Sequence, residues 1–392
     1  MHGARSIPLL IAFFALAAGP GLAVFSAGCA HVRLADAPTD AGWRMYGGDA
    51  GRRNVSADSI SPPLAQDWEF DAGAGFGTSS LGHTDTTLFV STLTGDVHAL
   101  SMLTGKEIDS YSFGSSIMGT PVLDSGRLFV ALADEDDGLV AYDLREGSTS
   151  WKLNTGDIET SPLLIGNRLI VATLKRGVHS VDKVSGQIEW TFKVPVPEHP
   201  PMIHSSPASD GKIVVFGCDD GKVYAISASG GILQWSAKTG GAILASPSID
   251  GNTVFVASLD GSMYAFNSAD GTLRWKRELG APVHAPQAVD ETHIYVGTTG
   301  RDFVALNKLS GEIAWRFIAN GAISSAPIVC LGIVYVGSID RNLYALRCDS
   351  GEQVWKFEAP GRIKSMPVIS RGRLFVPVED TSVLALREGP VQ

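Results

Sequence analysis

The residue types that could do chemistry in this sequence are few and widely spaced. His199, His204 and His284 could in principle bind a metal ion or act as general bases. None of the three lies at a metal-ligand spacing from other ligands, and no nucleophile is identified beside them. We therefore interpret them as isolated polar or packed side chains.

Two other patterns suggest a site but have a structural explanation. The run Asp134–Asp137 is rich in the carboxylates that calcium prefers, but it lacks the glycine-spaced ligand pattern of a calcium loop, so a solvated hairpin is favoured. Ser205, Ser206 and Ser246 belong to a recurring step of a small residue and a proline, which explains them without a serine nucleophile. No glycine-rich phosphate loop is found, because the glycines lie in predicted hairpins. The sequence predicts no catalytic residue, no metal site and no cofactor.

Composition indicates which elements hold these residues. The chain has 392 residues, of which 44% are hydrophobic and 18% charged, so it can bury a large core. Its 44 glycines indicate many tight turns between short apolar strands. The 31 Lys and Arg against 41 Asp and Glu give a net charge of −10, which disfavours nucleic acid as a partner.

The first residues are typical of an export signal rather than of a fold. Arg5 precedes the apolar residues 7–18, and small residues lead directly to Cys29. This pattern resembles a bacterial lipobox, so we predict a signal peptide over residues 1–28, acylation of Cys29 and a lipid-anchored linker over residues 29–42. Ala30 favours an outer-membrane, periplasm-facing location. Ordinary cleavage or an uncleaved anchor is the alternative.

A unit of about 40 residues recurs along the rest of the chain. Gly271, Gly311 and Gly351 are each followed four residues later by tryptophan, and a small-residue–proline step comes about a dozen residues after that. Each unit is predicted to form four short strands, since the runs are rich in β-branched and aromatic residues and are bounded by turn residues. The fourth-strand positions, in chain order, are Trp68, Asp109, Trp151, Trp190, Trp235, Trp275, Trp315 and Trp355.

Eight such units predict an all-β chain that forms an eight-bladed β-propeller over residues 43–392. Trp68 comes before the first complete triplet of strands, and no fourth strand follows Leu386. A strand around Trp68 is therefore expected to complete the last blade and to close the ring. The tryptophans are predicted to dock between neighbouring blades as scaffold.

The three remaining cysteines, Cys218, Cys330 and Cys348, have no metal-binding or redox spacing. Cys330 and Cys348 are predicted at the ends of first and third strands of a blade. Strands two apart in a sheet are separated by about 9–10 Å, which is too far for a disulfide. We expect three free, mostly buried thiols.

The repeat, for example Ala305–Trp315, resembles the tryptophan-docking motif of the quinoprotein (PQQ-type) eight-bladed propellers, and Trp43–Asp49 looks like the opening motif of PQQ-like repeat proteins. The resemblance covers roughly residues 43–388. It allows two kinds of function. One is a dehydrogenase that holds quinone and calcium near the propeller axis, and the other is a BamB-type lipoprotein of the outer-membrane β-barrel assembly machinery.

One irregularity favours the second function. Trp190 and Pro207 are 17 residues apart, whereas the equivalent distance is 11 or 12 in most units, and the inserted residues 194–204 are apolar and rich in proline. In the BamB-type family the corresponding loop contacts the periplasmic domains of the barrel-assembly subunit, although a merely variable loop remains open. The residues predicted to bind this partner are Pro200, Pro201, Met202, Ile203 and His204, with Asp219 and Asp220 on an adjacent turn.

The sequence thus predicts a non-catalytic periplasmic scaffold lipoprotein that assists assembly of outer-membrane β-barrel proteins. Its expected contacts are the barrel-assembly subunit and, through acylated Cys29, the lipid bilayer. The alternatives are a PQQ- and calcium-dependent dehydrogenase-like enzyme and a PQQ-like envelope lipoprotein with another partner.

Overall fold

The computed structural model describes residues 34, 42–134, 136, 138–175, 177–195 and 201–389, and this part of the chain contains strands, turns and loops but no helix. The described residues therefore include no helix that is long and apolar enough to cross a membrane. Cys29 and the predicted signal peptide lie outside the described residues.

The described strands form eight four-stranded sheets, the blades. Strand β1 is Leu64–Asp71. Blade 1 contains β2 Leu81–His83, β3 Thr87–Ser91, β4 Asp96–Ser101 and β5 Glu107–Ser112; blade 2 contains β6 Val122–Asp124, β7 Arg127–Ala131, β8 Leu139–Asp143 and β9 Ser148–Leu153. Blade 3 contains β10 Leu163–Ile165, β11 Arg168–Thr173, β12 Gly177–Asp182 and β13 Ile188–Phe192; blade 4 contains β14 Ala208–Ser209, β15 Ile213–Gly217, β16 Lys222–Ser227 and β17 Leu233–Lys238.

Blade 5 contains β18 Ser248–Asp250, β19 Thr253–Ala257, β20 Ser262–Asn267 and β21 Leu273–Glu278; blade 6 contains β22 Ala288–Val289, β23 His293–Gly297, β24 Asp302–Asn307 and β25 Ile313–Ile318. Blade 7 contains β26 Ile328–Cys330, β27 Ile333–Gly337, β28 Asn342–Arg347 and β29 Gln353–Glu358; blade 8 contains β30 Val368–Ser370, β31 Arg373–Pro377 and β32 Ser382–Glu388, together with β1.

Burial along each blade explains the strand sequences. In blade 5 every residue of β19 is buried, whereas exposed and half-buried residues make up β21. Inner strands are covered by neighbouring blades on both faces and therefore consist of apolar runs. The tight turn before β20 is made by Asp260, which accepts a hydrogen bond from the Ser262 N–H at 3.0 Å, and by Gly261, whose φ of 79° suits glycine.

The predicted ring closure is confirmed. Strand β1 pairs antiparallel with β32, with Trp68 opposite Ala385, and it forms the outer edge of blade 8. The fourth strand of the last blade therefore comes from the start of the described chain.

The tryptophans lie between consecutive blades. The ring of Trp235 packs on Gly271 of the next blade, and its Nε1–H donates to the Ser268 carbonyl at 2.8 Å. Five glycines in equivalent turns pack on the preceding tryptophan in the same way: Gly105, Gly186, Gly231, Gly311 and Gly351. The repeated Gly-x-x-x-Trp spacing thus joins two different contacts, since the glycine receives one tryptophan and the tryptophan four residues later docks on the next blade.

Residues 42–60, which we call the plug segment, contact the first strands of the blades. Its carbonyl groups accept backbone N–H bonds as follows: Trp43 from His83, Arg44 from Leu123, Ala50 from Ser209, Gly51 from Ile249, Arg53 from Val289 and Asn54 from Val329, at 2.7 to 3.0 Å. Two side chains of the plug segment contact the remaining blades. Arg52 donates a hydrogen bond to the Ser161 carbonyl in blade 3, and Asp58 accepts one from the Arg371 N–H in blade 8. One segment thus connects all eight blades.

The predicted state of the cysteines is confirmed. Cys218, Cys330 and Cys348 are free and buried, and Cys330 ends β26 while Cys348 directly follows β28. Burial raises the pKa of the Cys218 and Cys348 thiols to about 12, so both stay protonated and unreactive.

The acidic run lies between β7 and β8, as predicted. Asp134 accepts hydrogen bonds from the Ser115 hydroxyl at 2.8 Å and from the Asp136 N–H at 2.7 Å. Glu135 and Asp137 lie outside the described residues. The described carboxylate of Asp134 thus serves the turn itself.

Candidate functional site

The candidate site is a cavity of about 290 Å³ enclosed by the loops that lead into the first strands. Seven of its lining residues occupy the same position in consecutive blades: Thr78, Met118, Glu159, His204, Leu244, His284 and Ser324. In all but the first, a buried Ile or Val comes directly before the ring residue. Its N–H donates to the carbonyl of the residue that follows the second strand of the preceding blade. The eighth member of this ring, Lys364, is ion-paired with Glu379.

Hydroxyl groups connect the blades beneath this ring. Ser161 Oγ lies 3.0 Å from Ser79 Oγ and accepts the Thr120 N–H at 2.9 Å. Ser206 Oγ accepts the Ser161 N–H at 2.9 Å, and Ser246 Oγ accepts the Ser206 N–H at 3.0 Å. Serine recurs at the small-residue–proline step because it is small enough for the axis and still satisfies a backbone N–H of the preceding blade.

Tyr46 of the plug segment also lines the cavity, and Arg52 lies against it. The Arg52 side chain is 1% exposed and donates to the carbonyls of Pro207 at 3.0 Å, of Ser161 and Pro162 at 3.1 Å each, and of Tyr46. Burial lowers the pKa of Arg52 to about 10. Because this value is still well above neutral pH, the guanidinium remains charged. All three of its nitrogens are therefore engaged with backbone oxygens.

His204, interpreted from the sequence as an isolated polar or packed side chain, is half-buried and hydrogen-bonded to a residue of the preceding blade. Its Nδ1–H donates to Glu159 Oε2 at 2.9 Å, and its Nε2 lies 3.7 Å from Asp219 Oδ2. Burial raises the pKa of Asp219, as do the nearby Asp220 and Glu159 carboxylates, whereas His204 opposes the shift. Glu159 was missed by sequence reasoning, because its partner is 45 residues away. Its position immediately after buried Ile158, which recurs in the other blades, is the signal that could have identified it.

The other predicted histidines form no metal site. His284 is an exposed member of the cavity ring, and His199 lies outside the described residues. Within the described ranges, no group of three or more His, Cys, Asp or Glu side chains is placed to hold a metal ion.

The structure places the described part of the predicted partner-binding loop beside this cavity. Met202 is 41% exposed, and its carbonyl accepts the Asp219 N–H at 3.1 Å. Pro201 is half-buried, and Pro200 lies outside the described residues. The Asp220 carboxylate accepts a hydrogen bond from the nearby Tyr224 hydroxyl at 2.5 Å.

The expectation that Ile203 offers an exposed apolar anchor is wrong. Ile203 is 1% exposed and belongs to the core between blades 3 and 4. It is the local copy of the buried residue that precedes each ring position, as Ile158 and Ile243 are. The inserted loop therefore ends at Met202, and only Met202 of the predicted apolar pair is available to a partner.

The cavity does not fit the quinone of the quinoprotein propellers. Pyrroloquinoline quinone carries three carboxylates, whereas the charged group that lines this cavity is the Glu159 carboxylate. Arg52 is committed to backbone carbonyls, and Lys364 is paired with Glu379. A tricarboxylate would therefore be desolvated here without a cation to receive it.

Comparison with known proteins is consistent with this description of the fold. The BamB structure from Moraxella catarrhalis aligns with a TM-score of 0.70 and 19% identity over 83% of this chain and 99% of that chain. A quinohemoprotein alcohol dehydrogenase from Pseudomonas putida aligns with a TM-score of 0.77 and 14% identity over 91% of this chain and 84% of that chain. At these identities the likeness shows the fold alone, which is an eight-bladed propeller.

Sequence comparison gives the family. The family model for "Outer membrane protein assembly factor BamB" matches residues 31–159, 153–242, 234–330 and 319–389, so the chain belongs to this family. A curated relative, the outer membrane protein assembly factor BamB of Nitrosomonas eutropha, is 32% identical over 117 residues. That match spans 30% of this chain and 27% of the relative.

Proposed function

We propose that this protein is a non-catalytic, periplasm-facing scaffold that assists the assembly of outer-membrane β-barrel proteins. The observation that carries the proposal is the BamB family match, which runs in four overlapping segments from residue 31 to residue 389. The chemistry of the axial cavity supports it, because Glu159 opposes a tricarboxylate quinone and Arg52 is already satisfied. We further propose that acylated Cys29 anchors the chain to the outer membrane.

The proposed partner surface is the rim formed by Pro201, Met202, His204 and Asp219. It is apolar at Met202 and carries carboxylates beside His204. Prolines restrict the loop before binding, so less conformational entropy is lost on docking. The proposed partner is the set of periplasmic domains of the barrel-assembly subunit.

Replacement of Met202 by glutamate tests this surface. The side chain is 41% exposed, so the variant should fold, but a charge placed in an apolar contact should weaken binding several-fold. The measurement is affinity capture of the barrel-assembly subunit from solubilised envelope by the tagged protein. Leu309→Glu is the matched control, because Leu309 is 84% exposed in a turn of blade 6.

Equal capture by Met202→Glu and Leu309→Glu would remove the loop from the proposed interface. Failure of the unaltered protein to capture the subunit would contradict the proposed function. Stoichiometric binding of pyrroloquinoline quinone and calcium with dye-linked turnover would favour the enzyme alternative instead.

A further inference from the structure

We propose that the axial cavity is a binding site for an alkylammonium or alkylguanidinium group. This inference goes beyond the proposed function and does not depend on it, because the site is complete within this chain. Such a site receives a cation, whereas a quinone site must receive a tricarboxylate.

The charge of the cavity wall favours a cation. The Glu159 carboxylate lines the cavity, and a carboxylate that accepts one bond from His204 retains further acceptor positions. Asp219 adds a second carboxylate on the far side of His204. Even a protonated His204 therefore leaves this corner with a net negative charge. The Lys364 ammonium is not among the residues that line the cavity, and it contacts Glu379, whose other carboxylate oxygen lies 3.9 Å from Arg362 Nε.

Apolar side chains beside the carboxylate favour a cation that carries an aliphatic chain. Glu159 and His204 are flanked around the ring by Met118 and Leu244, both half-buried, so apolar side chains border the carboxylate on either side. Farther around the cavity, Ala285 and Ala326 are buried and small. A ligand with an aliphatic chain and a cationic end group can pack its chain on the apolar residues and place its charge beside the carboxylate. Lysine and arginine side chains make the same pair of contacts elsewhere in proteins.

The ring also offers hydrogen-bond acceptors besides Glu159. Thr78 and Ser324 bring hydroxyl groups to the same ring, and hydroxyls can accept bonds from N–H donors that Glu159 does not satisfy. A planar guanidinium has five donors in a fixed arrangement and gains most from several acceptors around one cavity. The cation could be a free metabolite or a basic side chain of a docked protein.

The test is calorimetric titration of the purified full chain with n-butylguanidinium at low ionic strength. We expect saturable binding, at least tenfold weaker binding to Glu159→Gln, and unchanged binding to Glu146→Gln, which alters an exposed glutamate in the turn between β8 and β9. Succinate should not bind. Ser324→Lys serves as a second variant, since it places a cation on the ring and should also weaken binding.

A blocked Gly-Arg-Gly peptide distinguishes the two sources of the cation. Binding at least as tight as that of n-butylguanidinium would indicate a protein side chain, and binding of the free cation alone would indicate a small molecule. Equal affinity of the unaltered protein and Glu159→Gln, a preference for succinate, or no saturable cation binding would overturn the proposal. The titration contains no partner protein, so its failure leaves the capture experiment unaffected.

Discussion

His83 is a titratable side chain buried at the end of β2. It is 3% exposed, its Nδ1 lies 2.9 Å from the Thr84 carbonyl, and its buried Nε2 has no hydrogen-bond partner among the described residues. Burial lowers the pKa of His83, and the Thr84 carbonyl, Asp58 and Asp85 only partly oppose this shift. The folded protein therefore favours the neutral imidazole.

This shift predicts loss of stability in mild acid. Because the pKa of His83 is lower in the folded chain than in the unfolded chain, the unfolded state binds the proton more readily below about pH 6.5. The free energy of unfolding should fall by up to about 1.4 kcal/mol per pH unit from this residue until the folded pKa is reached. The measurement is denaturant unfolding of the unaltered protein and His83→Gln between about pH 7.5 and pH 5.

The other titratable groups are the same in both proteins, so the informative quantity is the difference between the two free energies of unfolding at each pH. The unaltered protein should lose more stability than His83→Gln as the pH falls. A difference that stays constant over the range would show that His83 is not responsible.

At the scale of elements, the contact between a tryptophan and the next blade's glycine turn should carry much of the stability between blades. Trp235 is 7% exposed, and a Cβ at Gly271 would lie 2.6 Å from its ring. Trp235→Ala should lower the free energy of unfolding by about 3–5 kcal/mol, and Gly271→Ala should lower it by more than 1 kcal/mol, an order-of-magnitude estimate. Thermal or denaturant unfolding measures both.

A matched control separates steric contact from backbone strain. Gly251 also has a positive φ, of 56°, but an added Cβ there meets no atom within 4 Å. Gly251→Ala should therefore cost less than Gly271→Ala. The double variant Trp235→Ala/Gly271→Ala should lose less than the sum of its single losses, because the clash disappears with the ring. Strict additivity would contradict direct packing.

The sequence allowed the blades to be predicted because each blade is a local unit. The glycine and tryptophan are four residues apart, and the turn at Asp260 and Gly261 is a short-range signal. Even the pairing of Trp68 with the last blade followed from counting strands. Contacts made once, over long separations, could not be predicted in the same way. Arg52 reaches Pro207 across 155 residues, and no repeated spacing indicates that contact.

The candidate site shows the same limit. The inserted prolines directed attention to residues 200–204, but the repeat itself shows that Ile203 corresponds to buried Ile158 and Ile243. The bond between His204 and Glu159 was not predictable from spacing, because it joins two blades through side chains. Alignment on the buried Ile or Val would have identified the cavity ring, though not its hydrogen bonds.

At the scale of the whole molecule, the start of the described chain should determine whether the ring closes. A chain that begins at Gly73 lacks both the plug segment and β1, which leaves β32 as an unpaired edge. Such edges associate with other strands. We expect a lower melting temperature and self-association, measured by thermal unfolding and light scattering, whereas a chain that begins at Gly42 should stay monomeric and stable.

Addition of a peptide of residues 42–72 to the shorter chain tests the cause. The peptide should raise the melting temperature in a concentration-dependent manner, because it binds the folded ring and not the unfolded chain. If the shorter chain melts at the same temperature as the longer one, β1 and the plug segment do not hold the ring together.

The pairing of Leu64–Asp71 with Ser382–Glu388 also sets an order of events for biogenesis. A ribosome delivers one partner more than 300 residues before the other, so blade 8 cannot be finished while the polypeptide is still emerging. Until β32 has been synthesised, the ring is open and has an unpaired strand edge on each side of the gap. Such edges can associate with other strands. We expect completion of blade 8 to be a late, post-translational step.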